Sequence, residues 1–138
     1  MKNLLYFALA VTVLLSGCGN IKQGRAAADA QVVTFHQKFN VQDYRAIVLG
    51  ADPQMFANAS RSGLGELLSV IHLKLGNAVS SQNTNWNVRS FNADTTTVLT
   101  QDTKFEKGAG TETFVFRIAN GNARLLSYSI NSRDLIMK

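Results

Sequence analysis

Histidine is the side chain whose proton affinity lies nearest neutrality, and this chain of 138 residues has two, His36 and His72. Each falls about one residue off the centre of an apolar helical stripe. Both could therefore border a cavity between helices and a sheet, where an imidazole can act as a general base or bind a metal. No Glu or Asp accompanies either at ligand spacing and there is no His-x-x-x-His pair. The plainer reading is a boundary residue with a satisfied ring nitrogen, and no metal or cofactor is expected. Asp43-Tyr44 could supply a base and an oxyanion donor, although an aspartate ahead of a helical segment is more often a cap. Trp86, the sole tryptophan, reads as a core or sheet-edge aromatic in preference to a stacking platform. The candidate cavity residues are thus His36, Tyr44, His72 and Trp86. No nucleophile elbow, phosphate-binding loop, zinc motif or paired carboxylates occur, so no residue is assigned a catalytic role. Gly63-Leu64-Gly65 lacks the preceding strand that a dinucleotide loop needs.

Charge excludes a further class. The formal net charge is +5, and without residues 1–17, which contain only Lys2, thirteen basic side chains face nine acidic ones. They are scattered without runs and without interleaved aromatics, which describes a solvated surface and not a nucleic-acid footprint. Asp94 and Asp102 lie in or near a hairpin and are expected to be exposed.

The one remaining reactive side chain is Cys18, the only cysteine. Met1-Lys2-Asn3 is short and basic, and the nearly unbroken apolar run Leu4 to Leu15 is too short to span a bilayer; Ser16-Gly17-Cys18 follows. These are the three regions of a secretory signal segment. Leu15-Ser16-Gly17-Cys18 closely resembles the bacterial lipobox, in which the thiol receives a diacylglyceryl group and the cysteine becomes the new N-terminus. The resemblance implies a lipoprotein of the cell envelope. Gly19, where an aspartate would favour inner-membrane retention, implies the outer membrane, facing the periplasm, in a two-membrane host. Two or three acyl chains suffice for stable anchoring where one is marginal. With its only cysteine lipidated, the folded part would have no disulfide, and the core alone must hold it.

The positioning elements follow from the periodicity. Residues 1–17 form the signal segment, 18–25 a lipidated cysteine with a short tether, and 26–138 a single domain. Ala26 to Phe39 carries Ala28, Val32, Phe35 and Phe39 on one stripe. Asp43 caps a short helix over Tyr44 to Leu49 that Gly50 stops, and Asp52-Pro53 opens another turn or two to about Asn58. Ser62 to Leu75 is amphipathic, with Leu64, Leu67, Leu68, Ile71 and Leu75 on one face and Gly76 as terminator. The period then changes. Turn signals at Asn92-Ala93-Asp94, Lys107-Gly108-Ala109-Gly110 and Asn120-Gly121-Asn122 separate strands at about Asn85–Phe91, Thr95–Glu106, Thr111–Ile118 and Ala123–Asn131. In the third strand Phe114, Phe116 and Ile118 share one face, and in the fourth Leu126, Tyr128 and Ile130 do. Such short connections require an antiparallel meander. The expectation is an α+β domain with N-terminal helices packed on one face of a curved four-stranded sheet.

That element order resembles the cystatin-like or nuclear transport factor two-like superfold, and more narrowly a bacterial family of exported domains without an assigned function. Carrying the likeness are Val41-Gln42-Asp43-Tyr44, Phe105-Glu106-Lys107-Gly108, Thr111-Glu112-Thr113-Phe114-Val115-Phe116 and Leu125-Leu126-Ser127-Tyr128-Ser129-Ile130. Members form a conical cavity between sheet and helices. Some are isomerases, cyclases or epoxide hydrolases with ionisable side chains inside, so the fold alone does not separate an enzyme from a binder. Three functions follow as expectations. The first is a membrane-anchored lipoprotein whose non-catalytic domain binds a protein or a small apolar ligand. The second is a small cavity-type enzyme using His36 and His72, and the third an oligomerisation module. Two or more ionisable side chains converging in an open pocket would favour the enzyme, and a filled cavity the binder.

Overall fold

The computed structural model describes residues 17–92 and 94–137, the first four by backbone alone. The signal segment expected over residues 1–17 therefore lies, apart from Gly17, outside the described residues. Helix α1 spans Gly17–Asn40, α2 Tyr44–Gly50, a 3-10 turn Pro53–Phe56 and α3 Arg61–Leu75. Strands β1 Ala78–Phe91, β2 Asp94–Phe105, β3 Gly108–Ala119 and β4 Asn122–Asn131 form one antiparallel sheet in the order β1-β2-β3-β4, and α4, Arg133–Met137, closes the chain. The helices cover one face of the sheet, and this is the α+β architecture that the periodicity predicts.

Local chemistry places the boundaries. Asp43 accepts from the Ala46 N–H at 3.1 Å and caps α2, Asp52 accepts from the Gln54 N–H at 2.9 Å ahead of Pro53, and Ser60 accepts from the Gly63 N–H at 3.0 Å. Each strand connection is a two-residue loop, with Phe91 opposite Asp94, Phe105 opposite Gly108 and Ala119 opposite Asn122. Asn120 and Gly121 both adopt positive φ, 52° and 75°, the twist such a loop needs to match its flanking strands.

The core lies between α1 and the inner sheet face. Ala28, Val32, Phe35 and Phe39 of α1 are buried against Leu99, Phe105, Phe114, Phe116 and Leu125, and Leu64, Leu68, Ile71 and Leu75 of α3 complete it. Burying such an aliphatic or aromatic side chain contributes about 1.5–3 kcal/mol. β4, an edge strand, is protected by the chain after α2: the Asp52 N–H donates to the Leu125 carbonyl at 2.8 Å. The Arg124 guanidinium there donates to the carbonyls of Gly50 and Ala51.

Five expectations need correction. The tether expected over residues 18–25 is helical, because α1 begins at Gly17 and its first turns rest on the sheet, with Gly24 buried. β1 starts at Ala78, seven residues earlier than expected. Its polar sequence hides a strand whose start is pinned by Asn40, which exchanges two hydrogen bonds with the backbone of Ala78 at 2.8 and 2.9 Å. Gly108 and Gly110 are strand residues, the turn being Glu106-Lys107. A Cβ on Gly108 would come within 2.6 Å of Asp134, so this glycine admits α4, an element the periodicity had not predicted. Leu67 of α3 faces outward, 41% exposed. In β4, finally, Leu126 is an extra residue: Phe116 pairs with Leu125 and Val115 with Ser127. Before this bulge Ala123 and Leu125 face inward, and after it Tyr128 and Ile130 do.

Candidate functional site

The site grows from a polar residue in an apolar phase. In β3 the inward positions alternate Glu112, Phe114 and Phe116, all nearly fully buried. The α1 stripe lies across them and brings His36, one step round the helix from Phe35, over the Glu112 carboxyl group. His36 Nε2 is 2.7 Å from Glu112 Oε2, and Thr103 Oγ1 of β2 donates to the same oxygen at 2.6 Å. Tyr128, turned inward by the β4 bulge, donates its hydroxyl to Oε1 at 2.7 Å. As an ionised carboxylate is acceptor-only, Nε2 carries a hydrogen, and His36 Nδ1 has no partner among the described residues.

Aromatic rings wall this cluster. Phe114 meets Phe35 edge-on at 5.0 Å and His36 edge-on at 5.9 Å, and Tyr128 leans on Phe35 at 4.9 Å. In so apolar a setting hydrogen bonds are strong and an unmade one is costly. Burial pushes the Tyr128 phenol well above its ordinary pKa, and the adjacent Glu112 pushes it the same way, through its charge and through the hydrogen bond. The phenol thus keeps its proton and donates. A shell continues from Thr103, whose single hydrogen goes to Glu112, to Ser81 Oγ at 3.0 Å and on to Gln101.

A carboxylate, imidazole and phenol within hydrogen-bond reach are the parts of a proton-transfer site. Such a site also needs room for the reacting group. Here Glu112 is 1% exposed, both its oxygens are taken by protein donors, and the His36 side chain is 12% exposed. Phe35, Phe114 and Tyr128 pack ring against ring beside it. As it stands, the cluster pins α1 to β2, β3 and β4.

The other candidates do not join it. His72 Nε2 lies 2.7 Å from Asn77 Oδ1, and its ring packs edge-on to Phe39 at 5.2 Å, so it fastens the end of α3 to the start of β1. Tyr44 is half-buried beside Phe39, and desolvation raises its phenol pKa. Trp86 belongs to the edge strand β1, where a bulge between Asn83 and Asn85 turns it to the helix side; the Arg25 guanidinium lies 4.5 Å over its ring. It borders a groove of about 500 Å³ with Ile21, Lys22, Arg25, Ala26 and Asp29 of α1. Cys18 lies in the first turn of α1. Among the described residues no three His, Cys, Asp or Glu side chains are grouped to hold a metal.

Sequence reasoning missed Glu112, Thr103 and Tyr128. A signal for the first was present, since two steps back from Phe114 in a period-two strand is Glu112. A part-buried ion pair also went unseen: Arg117 Nη1 approaches Asp52 Oδ2 at 3.3 Å, and Arg117 Nη2 bonds Gln54, tying the 3-10 turn to β3.

No protein-family model matches the chain, and no curated protein matches its sequence. A solved structure does match: a Novosphingobium aromaticivorans protein provisionally named as a scytalone dehydratase superposes with a TM-score of 0.54 at 9% identity, covering 83% of this chain and 87% of that one. That likeness, over most of both chains, is one of fold. The chain shares the α+β fold of that structure, helices on one face of a four-stranded antiparallel sheet.

Proposed function

We propose that this chain is an exported lipoprotein, anchored through acyl chains on Cys18 in the outer membrane, whose domain binds a protein or a small apolar ligand and does not catalyse a reaction. The observation that carries the non-catalytic reading is the enclosure of Glu112: its side chain is 1% exposed and three protein donors engage its two oxygens, so a substrate has no approach to it. The anchoring reading rests on the lipobox-like Leu15-Ser16-Gly17-Cys18 after an apolar leader. Mass spectrometry of the mature protein is expected to show an acylated Cys18 as the first residue, and the Cys18→Ala variant should leave the membrane fraction. A variant that stays membrane-bound with its leader cleaved would overturn the anchor.

A second reading is favoured by the 2.7 Å contact of His36 with Glu112 and by the likeness to a protein named for dehydration. In it His36 Nδ1 is the base and Glu112 holds the ring in the required tautomer. Opening the site would require α1 to lift from the sheet. A ligand-bound crystal structure separates the two: an occupant within hydrogen-bond reach of His36 Nδ1 supports the enzyme, and one seated elsewhere supports the binder.

A further inference from the structure

The end of the domain where α1 begins is apolar and aromatic in a way that the core does not explain. Ile21 is 47% exposed, Trp86 44% and Phe91, beside the β1–β2 turn, 78%. Ile21 lines one groove with Trp86 and a second with Ser90 and Thr95 of the β1–β2 hairpin, so helix start and hairpin tip form one surface. Lys22 and Arg25 lie on it, against Asp29. Arg25 is partly engaged by Asp29 at 3.5 Å, which leaves a slight basic excess. A tryptophan with one face on a cation and an open edge suits the polar-apolar boundary of a bilayer, where such rings concentrate.

Because α1 is helical from Gly17, residue 18 stands one turn, about 5 Å, before Ile21 and Lys22, and about 10 Å before Arg25 along the axis. That separation matches the depth of about 5–10 Å to which interfacial groups sink. We propose that this end, with Ile21 and Trp86 at its centre and Phe91 at its rim, docks directly on the phospholipid surface and fixes the orientation of the domain. The proposal rests on the lipid-anchor reading for its address, while apolar burial and the slight basic excess supply the attraction.

Trp86 is the only tryptophan, which makes its fluorescence a direct probe. The full chain, processed in its host and checked by mass for acylation, is reconstituted into vesicles of phosphatidylethanolamine and phosphatidylglycerol. Trp86 emission is expected to shift to the blue, brominated lipids should quench it, and acrylamide quenching should fall several-fold relative to the Cys18→Ala protein without vesicles. Ile21→Ser, outside the core and in the groove with Trp86, should reverse much of that protection with the circular dichroism unchanged. An acylated protein whose Trp86 stays as open to acrylamide as in solution would overturn the docking and leave the anchor standing. Concentration-dependent shielding without vesicles, the mark of a second copy on this face, would overturn it as well. If the mass shows no acyl group, the anchor fails, and unacylated protein mixed with the same vesicles still decides the docking: lipid quenching of Trp86 supports it and none removes it.

Discussion

His36 and His72 begin as near equals: each sits one step off an apolar helical stripe and each brings Nε2 to 2.7 Å from a side-chain oxygen. Their partners separate them. Asn77 lies five residues from His72, just past the end of its helix, so that bond is a local clamp on a chain reversal. Glu112 lies 76 residues from His36 and has two further donors, so the same geometry becomes a junction of one helix and three strands. Helical periodicity can place a histidine at a boundary. Only the strand facing it decides whether that boundary holds an amide or a carboxylate.

The contrast breaks most severely at Glu112. Glu112→Ala would strand the His36, Thr103 and Tyr128 donors in an apolar pocket and should cost about 3–5 kcal/mol, read from urea unfolding midpoints. A loss below 1 kcal/mol would mean that the junction is not stabilising.

Next in size is Tyr128→Phe, which removes one donor to the carboxylate and should cost about 1.5–3 kcal/mol at neutral pH. Its pH dependence is more diagnostic. The folded pKa is raised above the ordinary 10.0, so the stability it carries is complete below pH 10 and is lost as pH climbs through the folded value. The Phe variant should show a shallower alkaline decline, with the weaker slope from Tyr44, also raised by burial, remaining. An unchanged slope would contradict the buried donor.

The smallest expected difference lies between the two histidines. His36→Ala should destabilise more than His72→Ala by about 1 kcal/mol, since a hydrogen bond to a charged acceptor exceeds one to a neutral amide by roughly that amount. Equal losses would make the two clamps equivalent.

Much of the fold was legible because helix and strand periods are local. The stripe of Ala28, Val32, Phe35 and Phe39, the caps at Asp43 and Asp52, and the paired turn residues Asn120 and Gly121 each act within a few positions. The site was less legible because its members come from one helix and three strands, and pairing register, which composition does not encode, brings them together. Gly108 misled for a related reason: a glycine that makes room for a distant Asp134 looks in sequence like a glycine that makes a turn. β1 was shortened because Ser, Asn and Gln on an exposed edge carry no apolar alternation.

The supernumerary Leu126 sets the facing of everything after it in β4. It works as a phase shifter, deciding that an aromatic and an aliphatic side chain, and not Ser127 and Ser129, look toward the helix. The inward phase downstream therefore depends on the bulge holding its place. A strand of the same length without the bulge would swap hydroxymethyl groups into the interior, whereas loss of Leu126 itself would leave a regular strand with Tyr128 and Ile130 still inward, so descendants of this chain can drop this letter more easily than they can straighten around it.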